Sequence, residues 1–121
     1  MARLRPSYTV EQHLPLKPLV FQILLCLADG ERHGWSLVRE VQQRGGFERL
    51  MPGNFYRTLR TMVADGFIEE SATRPALADD DERRRYFRMT ELGQHVAAAE
   101  AKRLEAAVLE ARTRKLLTRR G

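Results

Sequence analysis

The stretch "GGFERLMPGNFYRTLRTMVADGFIEE", residues 45–70, decides the fold. Gly45-Gly46 ends the segment before it, Pro52-Gly53 opens a helix, and Gly66 stops that helix, so the punctuation predicts a helix over about 52–65. Phe55, Leu59, Met62 and Val63 recur at helical spacing and form its inward stripe. The other side carries Asn54, Tyr56, Arg57, Thr58, Arg60 and Thr61. A short helix with a core stripe on one side and amide, hydroxyl and guanidinium groups on the other is built to touch something polar.

Two more helices precede it. In "PLVFQILLCLADG", Pro18 suits the first turn and Gly30 lies past the end, which predicts a helix over about 18–28. Leu16, Val20, Ile23, Leu24 and Leu27 supply its core stripe. "RHGWSLVREVQQRGG" predicts a second helix over about 35–44, with Leu37, Val38 and Val41 inward and Trp35 near the start, read as a packing residue. Residues 1–15 form an N-terminal extension, in which Thr9-Val-Glu-Gln has a capping-box form and predicts a helical turn over 9–14.

Two strands and a long helix follow. "GFIEES" is rich in strand-compatible residues, and "RRRYFRM", residues 83–89, alternates with a period of two. The intervening "ATRPALADDDE" is too long for a tight turn, so the pair reads as a β-hairpin with an extended, charged tip. Thr90 caps a final helix predicted over 91–117, whose first turn Gly93 weakens by about 1 kcal/mol relative to Ala. Ala97, Ala101, Leu104, Val108 and Ala111 follow the 4-3-4-3 spacing of a coiled-coil seam, and Glu110 and Arg114 form an i,i+4 pair outside it. At ~1.5 Å per residue such a helix spans about 40 Å, more than so small a domain covers. The seam therefore implies a second chain, and the expected state is a homodimer.

The bulk numbers agree with one domain. The chain has 121 residues, 43% hydrophobic and 31% charged, in the range of a globular protein. Its net charge of +5 fits a polyanionic partner, and nearly all of the positive charge is arginine, 18 Arg against 3 Lys. The lone cysteine, Cys26, excludes an internal disulfide and reads as a buried core thiol. No stretch reaches the ~18 apolar residues of a membrane span, and the N-terminus lacks the apolar run of a signal peptide, so the chain reads as cytoplasmic. No nucleophile–base arrangement or phosphate loop is present, which argues against an enzyme and against a cofactor. Four consecutive carboxylates, Asp79 to Glu82, lack the spacing of a calcium loop, and His13 and His33 have no partner ligand at metal spacing, so no metal is expected.

The order helix, helix, helix, hairpin, long helix gives a mainly α fold with a small β-hairpin. This is a winged helix-turn-helix over residues 16–89, a dimerisation helix over 90–117 and a basic tail over 118–121. A helix fits the major groove of B-form DNA, where Asn pairs with adenine and Arg with guanine. The small residues of Pro52-Gly53-Asn54 allow close approach to the phosphates, and Asn54 is also a good capping residue. The polar face Asn54, Tyr56, Arg57, Thr58, Arg60 and Thr61 thus reads as a double-stranded DNA contact. Arg84, Arg85, Tyr86 and Arg88 read as wing contacts to the backbone or minor groove, with pairing of Arg84 and Arg85 to the acidic run as the alternative.

From "LPLKPLVFQILLCLADGERHGWSLVREVQQRGG" through "MPGNFYRTLRTMVADGFIEE" to "DDDERRRYFRMTELGQHVAAAEAKRL", the sequence resembles the PadR family of transcriptional regulators over about residues 14–117. The most specific pieces are "HGW", "PGNFYRTLRTMVADGFI" and "RRRYFRMTELG". The resemblance implies a homodimeric bacterial repressor, bound to an inverted-repeat operator on the nucleoid and released by a small-molecule effector. It makes the third helix the recognition helix and Tyr56 its phosphate contact. Lys17 stands where the family favours Thr or Ser before the first-helix proline, so that cap is lost. Gly53-Asn54 replaces the usual Gly-Thr or Gly-Ser, which bears on operator preference. A single C-terminal helix resembles the short branch of the family. Two readings stay beside this one: a MarR-like regulator binding DNA in the same manner, and a winged-helix protein-interaction module, against which the basic face of the third helix argues.

Overall fold

The computed structural model describes residues 10–71 and 85–117. In chain order the elements are α1 (Pro18–Leu27), β1 (Arg32–His33), α2 (Gly34–Gln42), α3 (Pro52–Ala64), β2 (Ile68–Glu70), β3 (Tyr86–Met89) and α4 (Glu91–Thr113). Before them, Val10 and Glu11 are helical and His13 N donates to Val10 O at 3.0 Å, while Thr9, the expected cap, lies outside the described residues.

The helix stripes build the core. Ile23, Leu24, Cys26 and Leu27 of α1, Leu37, Val38 and Val41 of α2, and Phe55, Leu59 and Met62 of α3 are buried together with Phe67, Ile68, Phe87 and Val96. Val63 departs from the expected stripe and stays 40% exposed. One residue past Met62 is a 100° rotation around the helix, which carries its side chain off the packed face. Lys17 precedes α1 without a side-chain cap, as its residue type implies. Burial pushes the Cys26 thiol up to about 11, with the Glu40 carboxylate adding to the effect, so the group stays protonated and unreactive.

The sheet has three antiparallel strands, in the order β1-β3-β2, where the sequence predicts a two-stranded hairpin. β3 is central: Glu69 pairs with Arg88 and Glu70 with Phe87 on one side, and His33 pairs with Tyr86 on the other. β1 is two residues long, too short to carry a periodic signal, and it forms because β3 offers a second edge of backbone groups. Gly34 N then donates to Arg85 O at 3.0 Å, fixing the start of α2 against the wing.

α4 begins as predicted, with Thr90 Oγ1 accepting from Gly93 N at 3.0 Å. Gly93 is more than a weak helix former. It is buried, and a Cβ there would overlap the Phe67 carbonyl and lie 2.9 Å from Met89 Cγ, so the glycine lets the helix reach the sheet. The helix stops at Thr113, four residues short of the predicted end, where Lys115 takes a left-handed φ of 64° and Leu116 N turns back to Ala111 O at 2.8 Å. The predicted Glu110–Arg114 pair forms at 3.0 Å.

One buried charge holds α4 to the N-terminal segment. Glu100, 3% exposed, accepts from Leu16 N at 3.3 Å and from Arg103 Nε and Nη2 at 2.9 and 2.8 Å. The Arg103 hydrogen bonds hold its carboxyl below the usual range, against the opposing effect of burial. Glu100→Ala leaves the Leu16 N–H without its acceptor and is expected to cost about 1–3 kcal/mol in urea unfolding. Because the folded-state value is lowered, this stability is complete above the ordinary carboxylate range and lost as the pH falls through the depressed value. The difference between the two proteins should therefore shrink in acid; a difference constant down to strongly acidic pH would contradict the assignment.

Candidate nucleic-acid interface

α3 separates its two faces cleanly. Phe55, Leu59 and Met62 are buried, while Asn54, Arg57, Arg60 and Thr61 are exposed and Tyr56 and Thr58 are half-buried. Pro52 sits in the first turn, which contains no acidic residue, and Met51 at the N-cap makes no side-chain cap bond. Asn54 is therefore inside the helix rather than capping it, and its Oδ1 accepts from Arg57 Nη1 at 3.3 Å. The Thr58 and Thr61 hydroxyls donate to the carbonyls of Asn54 and Arg57, at 3.0 and 3.2 Å. These bonds leave the threonine oxygens their acceptor capacity toward solvent. Tyr56 packs edge-on against Phe55, with ring centroids 5.5 Å apart at 88°.

The wing is electrostatically mixed. Arg85 Nη1 donates to Glu70 Oε2 at 2.6 Å, and Arg88 Nε to Glu69 Oε2 at 2.8 Å. Both acids belong to β2, and the antiparallel register sets Glu69 directly across from Arg88. Asp79–Glu82, the alternative partners expected from the sequence, lie outside the described residues, as does Arg84. The signal was present in "GFIEES" against "RRRYFRM": pairing the two strands brings Glu to Arg. Tyr86 lies against His33, with centroids 3.8 Å apart. β3 thus carries Tyr86 and Arg88, and Arg85 immediately precedes it.

The seam residues of α4 divide. Ala97 packs onto the domain's own core. Beyond it, Ala101 and Val108 are exposed, and Leu104 and Ala111 are half-buried. Leu109, off the predicted seam, is 61% exposed. Among the described residues no cluster of His, Cys, Asp or Glu is arranged to hold a metal, and no helix is long and apolar enough to cross a membrane.

Residues 23–99 match the family described as transcriptional regulator PadR-like. No curated protein matches the sequence. Solved structures with the same fold include a PadR-like transcriptional regulator from Bacillus cereus, with a TM-score of 0.62 and 22% identity over 83% of this chain and 92% of that one. A PadR family transcription regulator from Clostridium difficile gives a TM-score of 0.62 and 20% identity over 84% and 100%. RosR from H. salinarum gives 0.61 and 20% over 87% and 99%.

Proposed function

The chain belongs to the PadR-like family, a family of DNA-binding transcription regulators rather than enzymes, and from that premise we propose a homodimeric repressor that reads an inverted-repeat operator. The observation that carries this reading is the outer face of α3, where Asn54, Arg57, Arg60 and Thr61 stand exposed opposite a fully buried stripe. Each protomer lays α3 in a major groove, with half-site centres about 34 Å apart. Tyr56 and the wing residues Arg84, Arg85, Tyr86 and Arg88 meet the backbone, and α4 joins the protomers through Ala101, Leu104, Val108 and Ala111, with Ala97 at the root. The protein works in the cytoplasm of a bacterium, on the nucleoid. A small-molecule effector that releases the operator completes the reading; a thermal-shift screen of aromatic acids and cationic drugs against the dimer tests that part.

Gly53 supports the reading from the folding side. A Cβ at this position meets nothing within 4 Å, so the fold itself does not require a glycine there. Close approach of DNA to the start of α3 does. Gly53→Ala is expected to leave the fold unchanged or stabilise it by up to about 0.5–1 kcal/mol, and to weaken operator binding at the same time. A thermal melt and an anisotropy titration check the two signs; unchanged affinity removes the close approach from this account.

The general test is salt. Phosphate contacts release counterions, so the logarithm of the binding constant falls steeply and linearly with the logarithm of salt concentration. An operator affinity that barely changes between low and physiological salt contradicts the proposal.

A further inference from the structure

Glu100 is the one buried charged residue among the described residues, and it lies where α4 leaves the domain. Before it, Gly93 and Val96 are buried, and Ala97 and Ala99 pack on the core. Beyond it, no described residue of α4 is buried. The root of the helix is therefore fixed at two points: Gly93 against the Phe67 carbonyl, and Glu100 Oε1 on the Leu16 N–H, about 10 Å further along the axis. The Leu16 end is itself seated. Leu16 and Val10 are buried, and the His13 ring stands edge-on to Phe67, with centroids 4.8 Å apart. Arg103 braces the carboxylate by donating to both of its oxygens. Core packing does not need such a group: an apolar side chain of the same volume stabilises a fold as well as a buried ion pair does. What the carboxylate adds is directional bonding.

Resting on the reading of the chain as a homodimer that bridges two half-sites, we propose that Glu100 is a positioning residue: its bond to Leu16 sets the angle at which α4 leaves the winged domain, and with it the half-site spacing that the dimer accepts. The distal helix is a lever. From Ala101 to Thr113 it runs about 20 Å, so a swing of about 10° at Glu100 moves its far end by about 3.5 Å, close to the ~3.4 Å rise of one base pair. One inserted base pair also turns the second half-site by about 35° around the DNA axis, so a dimer with fixed exits rejects it. A loosened exit tolerates the neighbouring spacing. Neither Leu16 nor Arg103 belongs to α3 or the wing, so reading of a single half-site does not pass through this contact.

The experiment uses the full chain and duplexes it selects from a random pool, rebuilt with one base pair inserted between the half-sites and, separately, as a single half-site. Anisotropy gives the insertion penalty, the ratio of affinities for the native and the inserted spacing. For the parent protein the penalty is expected to be about 10²-fold, the loss of tethering. Glu100→Ala and Glu100→Leu both remove the acceptor, the second without leaving a cavity. Both are expected to cut the penalty about fivefold or more while binding the single half-site like the parent. Glu100→Gln keeps an Oε1 acceptor for Leu16 and is expected to retain the parent's penalty. A merely structural role weakens binding to every duplex alike and leaves the penalty unchanged. Folded alanine or leucine variants with the parent's penalty overturn the proposal, as does a glutamine variant as permissive as alanine. A parent protein indifferent to the inserted base pair also overturns it and leaves the regulator reading intact. If no duplex raises the anisotropy, the regulator reading itself fails, and the positioning role fails with it.

Discussion

A variant carrying Tyr56→Phe and Arg57→Ala is expected to keep its fold and its oligomeric state and to lose about two orders of magnitude in operator affinity. Arg57 is exposed, and its hydrogen bond to Asn54 at 3.3 Å lies within the same exposed face, so removing it takes nothing from the core. Phenylalanine at position 56 keeps the ring against Phe55 and removes only the hydroxyl. A bidentate arginine–base contact contributes about 1–3 kcal/mol of discrimination, and the lost phosphate contact adds to that. Circular dichroism melts confirm the fold, and anisotropy reads the affinity. A folded variant that binds like the parent moves the recognition surface away from α3.

The second large effect concerns α4. Replacing Leu104 and Val108 with glutamate is expected to convert the protein to a monomer with little change in domain stability, because Val108 is exposed and Leu104 is only half-buried within the single chain. Two carboxylates facing their symmetry mates repel and are costly to desolvate. With the second half-site no longer tethered, operator affinity should fall by about 10²-fold or more. Light scattering and the same titration test both parts. A variant that remains dimeric places the interface elsewhere, with exposed Leu109 as the residue to examine next.

Much of this architecture was readable from residue spacing. The glycines and prolines that bracket α1, α2 and α3 act locally, through backbone geometry, and so mark their helices within two residues. Thr90 signals the start of α4 for the same reason: its cap bond to Gly93 spans three residues. What stayed illegible depends on contacts between distant parts of the chain. β1 exists only because β3 has a free edge beside it. Glu100 looks like one more charge on a helix surface until Leu16 arrives from 84 residues away to donate to it. Gly93 reads as a defect in a helix, whereas the proximity of the Phe67 carbonyl makes it a requirement.

The candidate site divides along the same line. The outer face of α3 follows from helical periodicity, so its members were legible one by one. The wing was legible in composition but not in charge balance. Glu69 and Glu70 sit 15 to 19 residues before the arginines they meet, and only the strand register brings them together. Part of the positive charge counted in the sequence is thus spent inside the wing. Arg57 and Arg60 of α3 stand exposed on its outer face.

The most direct measurement is an anisotropy titration of the purified protein against duplexes from its own promoter region, at physiological salt and with excess unrelated competitor DNA. The account predicts tight, competitor-resistant binding to one duplex containing an inverted repeat, at two protein chains per duplex. Binding that is weak, equal for every duplex and erased by competitor would contradict it.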